Sequence, residues 1–202
     1  MKMFEAIGLG EALEGKGCPI EKIWVSDGLK PGSLDFVPGA EDGYLGQMFE
    51  NRLIRRTLYE AAKASDAIHL HMPNSILSKE RESKGVIVTL DNGTTLSADL
   101  MVVAEGRQST TREEAGIKII HWQYNHSAMV GAVFHEKPHQ NIAYEIFYPG
   151  GPFAVLPMLD SADGRHRSAI VWSVDEADAP GYLKLSKRGY AAELEKAIDR
   201  KS

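Results

Sequence analysis

The chain has 202 residues, of which 23 are basic and 28 acidic, giving a formal net charge of −5; hydrophobic residues make up 43% and charged residues 25%. That balance describes a globular protein able to bury its own core, and it gives no electrostatic case for a nucleic-acid partner. Cys18 is the single cysteine, so no internal disulfide forms, in keeping with a reducing compartment.

In chain order, Met3, Phe4, Ile7, Leu9 and Leu13 suggest a short helix broken by Gly8 and Gly10. Glu5 and Glu11 interrupt this stretch, which reads as neither signal peptide nor spanning helix. Ile20 to Ser26 alternates as a strand, Asp27-Gly28 turns, and Leu34 to Val37 is a partner strand ended by Pro38-Gly39. Glu50 to Ala64 is the clearest helix, with Leu53, Ile54, Leu58, Ala61 and Ala62 on one face and Asn51 as candidate N-cap. Ile68 to Met72 reads as a short strand, and Asp91-Asn92-Gly93 as a hairpin turn between Val86–Leu90 and Thr94–Leu96. After Gly116, the stretches 127–134, 142–148, 153–157 and 168–174 read as four strands without intervening helices, hence a mainly antiparallel sheet. Tyr190, Leu194, Ala197 and Ile198 mark a closing amphipathic helix.

The most informative stretch is Leu100 to Arg112. Leu100-Met101-Val102-Val103-Ala104 has the continuous apolarity of a buried parallel strand, and it stops at Glu105-Gly106. A carboxylate at the carboxyl end of such a strand can hold the ribose hydroxyls of a nucleotide cofactor, and the glycine lets that cofactor approach closely. The same pair also reads as a strand-ending turn with a solvated glutamate, the commoner use of so short a pattern. Ser109 is placed to cap the following segment and Arg112 to face a phosphate; both also read as surface polarity. Asn51 and Arg52 open the best helix, where an anion is favoured.

Other constellations carry less. Gly8-Leu9-Gly10 lacks the preceding strand and the third glycine of a dinucleotide loop. His69 and His71 would share a strand face, but no further ligands at matching positions make a metal site. Cys18, beside Pro19 in a turn, reads as an inert thiol. No residue reads as a catalytic acid, base or nucleophile.

Several segments recur together and in order in one family. They are Gly43 to Arg52, Leu96 to Leu100 running into Ala104-Glu105-Gly106, Ser109 to Arg112, Trp122-Gln123-Tyr124, Ala154 to Pro157 and Ile170 to Ser173. On these the chain resembles the flavin-dependent aromatic hydroxylases of the p-hydroxybenzoate hydroxylase fold, and most of all the ubiquinone-biosynthesis branch, which hydroxylates polyprenylated phenols. Other flavoproteins of that fold, halogenases and geranylgeranyl reductases, are a weaker resemblance.

The resemblance implies an α+β fold: a partial, Rossmann-like FAD-binding portion (1–19 and 43–116) and a mainly antiparallel substrate-domain sheet with flanking helices (20–42 and 117–202). It implies FAD as cofactor, NAD(P)H as reductant, an apolar phenolic substrate, and Glu105, Gly106, Asn51, Arg52 and Arg112 as cofactor-facing residues. It further implies a cytoplasmic enzyme, peripheral to the inner membrane or held in a ubiquinone-synthesis complex, and self-association through exposed apolar surface. The family carries Asp-Gly where this chain has Glu105-Gly106, so the carboxylate here reaches one methylene farther. Its N-terminal strand–glycine loop–helix and its later Gly-Asp flavin motif have no counterpart among these residues. The expectation is therefore an internal slice that, isolated, is inactive and holds no flavin. A non-catalytic module binding an apolar ligand or partner protein is the alternative.

Overall fold

The computed structural model describes residues 2–28, 30–41 and 43–198. The outer limits of the expected domains at 1, 42 and 202 lie outside the described residues. In chain order the elements are α1 (Lys2–Ala6), α2 (Gly10–Leu13), β1 (Cys18–Ile20), β2 (Lys22–Ser26), β3 (Leu34–Phe36), β4 (Gly46–Met48), α3 (Asn51–Ala64), β5 (Ile76–Glu82), β6 (Gly85–Leu90), β7 (Thr95–Ala98), α4 (Thr110–Glu114), β8 (His126–His135), β9 (Ile142–Tyr148), β10 (Gly151–Met158), β11 (His166–Asp175), α5 (Ala179–Leu183) and α6 (Lys187–Ile198). The architecture is α+β, as expected.

The chain forms two compact units, residues 1–61 with 123–202, and residues 62–122. These divide the chain at other places than the expected domains: residues 1–19 and 43–61 cluster with the large sheet of the first unit. In that unit six strands run in the order β3-β2-β9-β10-β11-β8, and β1 pairs with β4 in a separate two-stranded ribbon. All pairings of the large sheet are antiparallel except β2 with β9. Cys18, expected in a turn, begins β1 and is buried.

The core of this unit lies between the sheet and α6. Ile146, Phe153, Ile170 and Leu194 form a buried cluster, against which Trp24, Val133, Trp172, Tyr190 and Ala197 pack. Tyr190, Leu194 and Ala197 recur at helical spacing, which is why α6 can turn one stripe onto the strands. Burying each of the four central side chains contributes roughly 1.5–3 kcal/mol. The β9–β10 hairpin closes through Pro149-Gly150, with Gly151 paired to Tyr148. Gly151 has φ +126°, and a Cβ there would lie 2.6 Å from the Ser173 carbonyl oxygen, so only glycine fits.

In the second unit β5, β6 and β7 form an antiparallel sheet. The Asp91-Asn92-Gly93 turn joins β6 to β7 as its sequence predicts, with Leu90 N–H donating to the Thr94 carbonyl at 2.8 Å and Gly93 at φ +82°.

Two expected strands are absent. Residues 68–72 and 100–105 form no ladder. A buried parallel strand needs parallel neighbours to take its backbone hydrogen bonds, and among the described residues the one parallel pairing is β2–β9. Leu100 and Val102 are accordingly 77% and 80% exposed. His69 and His71 therefore share no strand face.

Candidate functional site

The residues expected to face a cofactor fall in both units. Glu105, Gly106 and Arg112 come together in one turn of the second unit; Asn51 and Arg52 belong to the first.

The turn is built by Glu105. Its side chain reaches past Gly106–Gln108 to the start of α4. There Oε2 accepts the Ser109 hydroxyl at 2.6 Å and the Thr111 backbone N–H at 3.1 Å, while Oε1 accepts the Thr111 hydroxyl at 2.7 Å. Ser109 Oγ in turn accepts the Arg112 backbone N–H at 3.1 Å, the N-cap bond of α4. Lys79 on β5 donates to Thr111 Oγ1 at 2.9 Å and pairs with Glu114 at 2.9 Å. Together these donors hold the Glu105 carboxyl at about 2, well below the ordinary 4.5. The Ser109 hydroxyl is the largest cause, then the hydroxyl and backbone N–H of Thr111, with Lys79 adding a smaller Coulomb contribution. One carboxylate thus ties position 105 to both Ser109 and Thr111.

Arg112 closes the turn from the other side, donating from Nη2 to the Arg107 carbonyl at 2.7 Å and from Nη1 to the Gly106 carbonyl at 3.4 Å. Its Nε is buried with no partner among the described residues. Gly106 has φ +77°, and the space where a Cβ would stand is open. The turn thus presents exposed backbone beside an orphaned buried N–H, a donor that a phosphate oxygen could satisfy. These features fit a dinucleotide such as FAD.

In the first unit, α3 begins at Asn51 itself. The cap position falls one residue earlier than expected: the Glu50 carbonyl accepts the N–H groups of Leu53 and Ile54, at 2.9 and 3.3 Å. The next residues border a cavity of about 200 Å³. Its polar rim is Lys16, Glu50, Arg52, Arg56 and Arg167, four cations against one carboxylate. Arg167 donates from Nη1 to Glu50 Oε1 at 3.0 Å and from Nε to the Leu159 carbonyl at 2.9 Å. Lys16 Nζ donates to the Ala12 carbonyl at 2.7 Å. The guanidinium groups of Arg52 and Arg56 have no partner among the described residues. The cavity's apolar lining is Met48, Leu53, Met158 and Leu159. Sequence reasoning singled out Arg52 but missed the rest of the rim: Arg56 follows one turn later on α3, whereas Lys16, just before β1, and Arg167, on β11, come from distant positions.

Among the described residues, no group of three or more His, Cys, Asp or Glu side chains could hold a metal ion, and no helix is long and apolar enough to cross a membrane.

Comparison with known proteins adds to this geometry. Ubiquinone hydroxylase UbiL of Rhodospirillum rubrum is 38% identical over 195 residues, covering 96% of this chain and 44% of UbiL. The mitochondrial ubiquinone biosynthesis monooxygenase COQ6 of Danio rerio is 37% identical over 115 residues, 56% of this chain and 22% of COQ6. The chain therefore spans less than half the length of these relatives. Among solved structures, PqsL, a probable FAD-dependent monooxygenase from Pseudomonas aeruginosa, superposes with a TM-score of 0.79 at 20% identity, covering 98% of this chain and 54% of PqsL. Residues 1–202 match the FAD binding domain family, and the chain belongs to it.

Proposed function

We propose that this chain is part of an FAD-dependent monooxygenase that hydroxylates a polyprenylated phenol in ubiquinone biosynthesis. The observation that carries this reading is the 38% identity to UbiL over 96% of the chain. The open turn at Gly106, with its orphaned Arg112 donor, supports it. NAD(P)H is the proposed source of electrons.

When bound, FAD supplies the redox and oxygen chemistry. The chain's own residues position and shield. In the second unit, Gly106 and Arg112 are the proposed cofactor-facing groups. Glu105 acts behind them, because its oxygens are engaged in holding the turn. In the first unit, Asn51 and Arg52 are the proposed cofactor-facing groups at the start of α3. The 202 residues by themselves hold FAD weakly in this reading, since Glu105 and Arg112 direct most of their hydrogen bonds to their own turn. An association with the membrane surface or with other ubiquinone-synthesis proteins follows from the apolar substrate.

The test is complementation. The whole reading frame that contains these residues, rather than the 202 residues alone, is expressed in a bacterial strain that lacks a ubiquinone hydroxylase, and quinones are measured by mass spectrometry under ¹⁸O₂. Restored ubiquinone carrying ¹⁸O in the new ring oxygen is expected. Folded protein that leaves the unhydroxylated precursor in place would overturn the reading.

A further inference from the structure

We propose that the cavity framed by the β9–β10 turn, the end of β11, α5 and α6 is a binding site for a small organic cation, an ammonium or quaternary ammonium ion free in solution. The cavity lies wholly in the first unit. None of its residues is given to the cofactor, so the inference stands apart from the hydroxylase reading.

Three observations carry it. The first is the aromatic lining. Trp172, Tyr148 and Tyr182 border the cavity. Trp172 is packed against three other rings: perpendicular to Phe153 with centroids 5.7 Å apart, and tilted against Tyr182 at 4.9 Å and Tyr190 at 6.3 Å. The Tyr148 hydroxyl donates to the Ala197 carbonyl at 2.6 Å, which ties that ring to α6. Aromatic rings attract cations to their faces, and rings already fixed by packing lose little freedom on binding one.

The second is charge. Asp175, Asp178 and Glu193 share the lining with one base, Lys196. Lys196 pairs with Glu193 at 2.6 Å, and neither aspartate has an ion-pair partner among the described residues. Asp175 accepts the Ala177 N–H at 2.9 Å, and Asp178, at the cap position of α5, makes no side-chain cap bond. Two carboxylates are thus left uncompensated beside the rings.

The third is how the acids are spread. A hard metal ion needs several oxygen ligands converging on one point. Among the described residues, no group of three or more His, Cys, Asp or Glu could hold one. Carboxylates distributed around aromatic side chains suit instead a cation whose charge sits on a carbon-bearing nitrogen. The volume, about 340 Å³, is at the small end of ligand cavities, which start at about 300 Å³. The same carboxylates oppose a phosphate, so a free amine is favoured over the headgroup of a phospholipid.

The probe is choline, titrated into the 202-residue chain at constant ionic strength. The Trp172 indole N–H resonance, assigned by its loss in Trp172→Phe, is followed by NMR. A saturable shift is expected. It should be absent with 3,3-dimethylbutanol, which has the shape of choline without its charge, and phosphocholine should bind more weakly than choline. Asp175→Asn with Asp178→Asn should weaken choline binding at least about tenfold, and Tyr182→Leu at least about threefold. Glu176→Gln with Glu195→Gln removes the same charge from positions off the cavity and should leave binding unchanged. Dispersion of the amide spectrum checks that each variant is folded. No saturable shift, an equal response to the neutral alcohol, phosphocholine binding as tight as choline, or equal losses in the two double variants would overturn the proposal. None of these readouts involves flavin or hydroxylation, so failed complementation would sink the monooxygenase reading and leave the cation site standing.

Discussion

Glu105 and Thr111, six positions apart, are joined twice: the Thr111 hydroxyl donates to Oε1 at 2.7 Å and its backbone N–H to Oε2 at 3.1 Å. The pair turns a glutamate at the end of an apolar run into the organiser of α4. These bonds favour the ionised carboxylate, so its pKa in the fold, about 2, lies below the ordinary 4.5. A depressed carboxylate contributes stability above its unfolded pKa and loses it as the pH falls toward the folded one. The turn should therefore loosen between about pH 4.5 and pH 2. Followed by NMR, the Thr111 amide resonance should titrate with a midpoint near 2, and this titration should vanish in Glu105→Gln. A midpoint near 4.5 would mean that the carboxylate is not held as described.

Gly151 tests the hairpin. With φ at +126° and a prospective Cβ 2.6 Å from the Ser173 carbonyl oxygen, Gly151→Ala meets backbone strain and a backbone clash together. It should lower stability by about 1–3 kcal/mol, measured by urea unfolding. Gly150, which has open space at its Cβ position, should accept alanine with a much smaller loss.

How far the sequence carried depended on whether the residues that settle a structure lie near one another in the chain. The Asp91-Asn92-Gly93 hairpin, the helix at Asn51–Ala64 and the four strands after Gly116 are written in local turn chemistry and period, and all were legible. Leu100–Val103 was not, because a continuous apolar run states only that a strand could be buried. Whether it is depends on neighbours elsewhere, and among the described residues it pairs with none. Glu105 was legible as special but not in its role. The run to Thr111 could be read from the sequence, whereas Lys79 reaches the same turn from β5, 32 positions earlier. The cationic cavity was the least legible feature, since Lys16 and Arg167 join the Arg52–Arg56 pair of α3 only once the chain is folded.

The central cluster and the edge of the same sheet should respond in opposite ways. Phe153 is fully buried in contact with Trp172, their rings perpendicular with centroids 5.7 Å apart. Phe153→Ala should cost about 3–5 kcal/mol through lost transfer energy and the cavity left behind. Val130 on β8, 75% exposed, should tolerate alanine within about 0.5 kcal/mol. Comparable losses at the two sites in chemical denaturation would mean that the core is not where the burial places it.

The apolar run that forms no ladder has a further consequence. Leu100 and Val102 are 77% and 80% exposed, and Ile119 and Ile120, in the same unit, are 55% and 89% exposed. Exposed apolar side chains favour association, and backbone that pairs in no ladder offers hydrogen bonds to another chain. The 202-residue chain should therefore self-associate with rising concentration in sedimentation velocity. Leu100→Lys with Val102→Glu should shift it toward monomer, because charges placed on a segment that pairs in no ladder oppose both the burial and the pairing. The double change leaves Glu105 and its partners on α4 untouched, so the acid titration of the Thr111 amide should persist in the same variant. A monomer across the whole concentration range before mutation would show that this surface does not drive assembly.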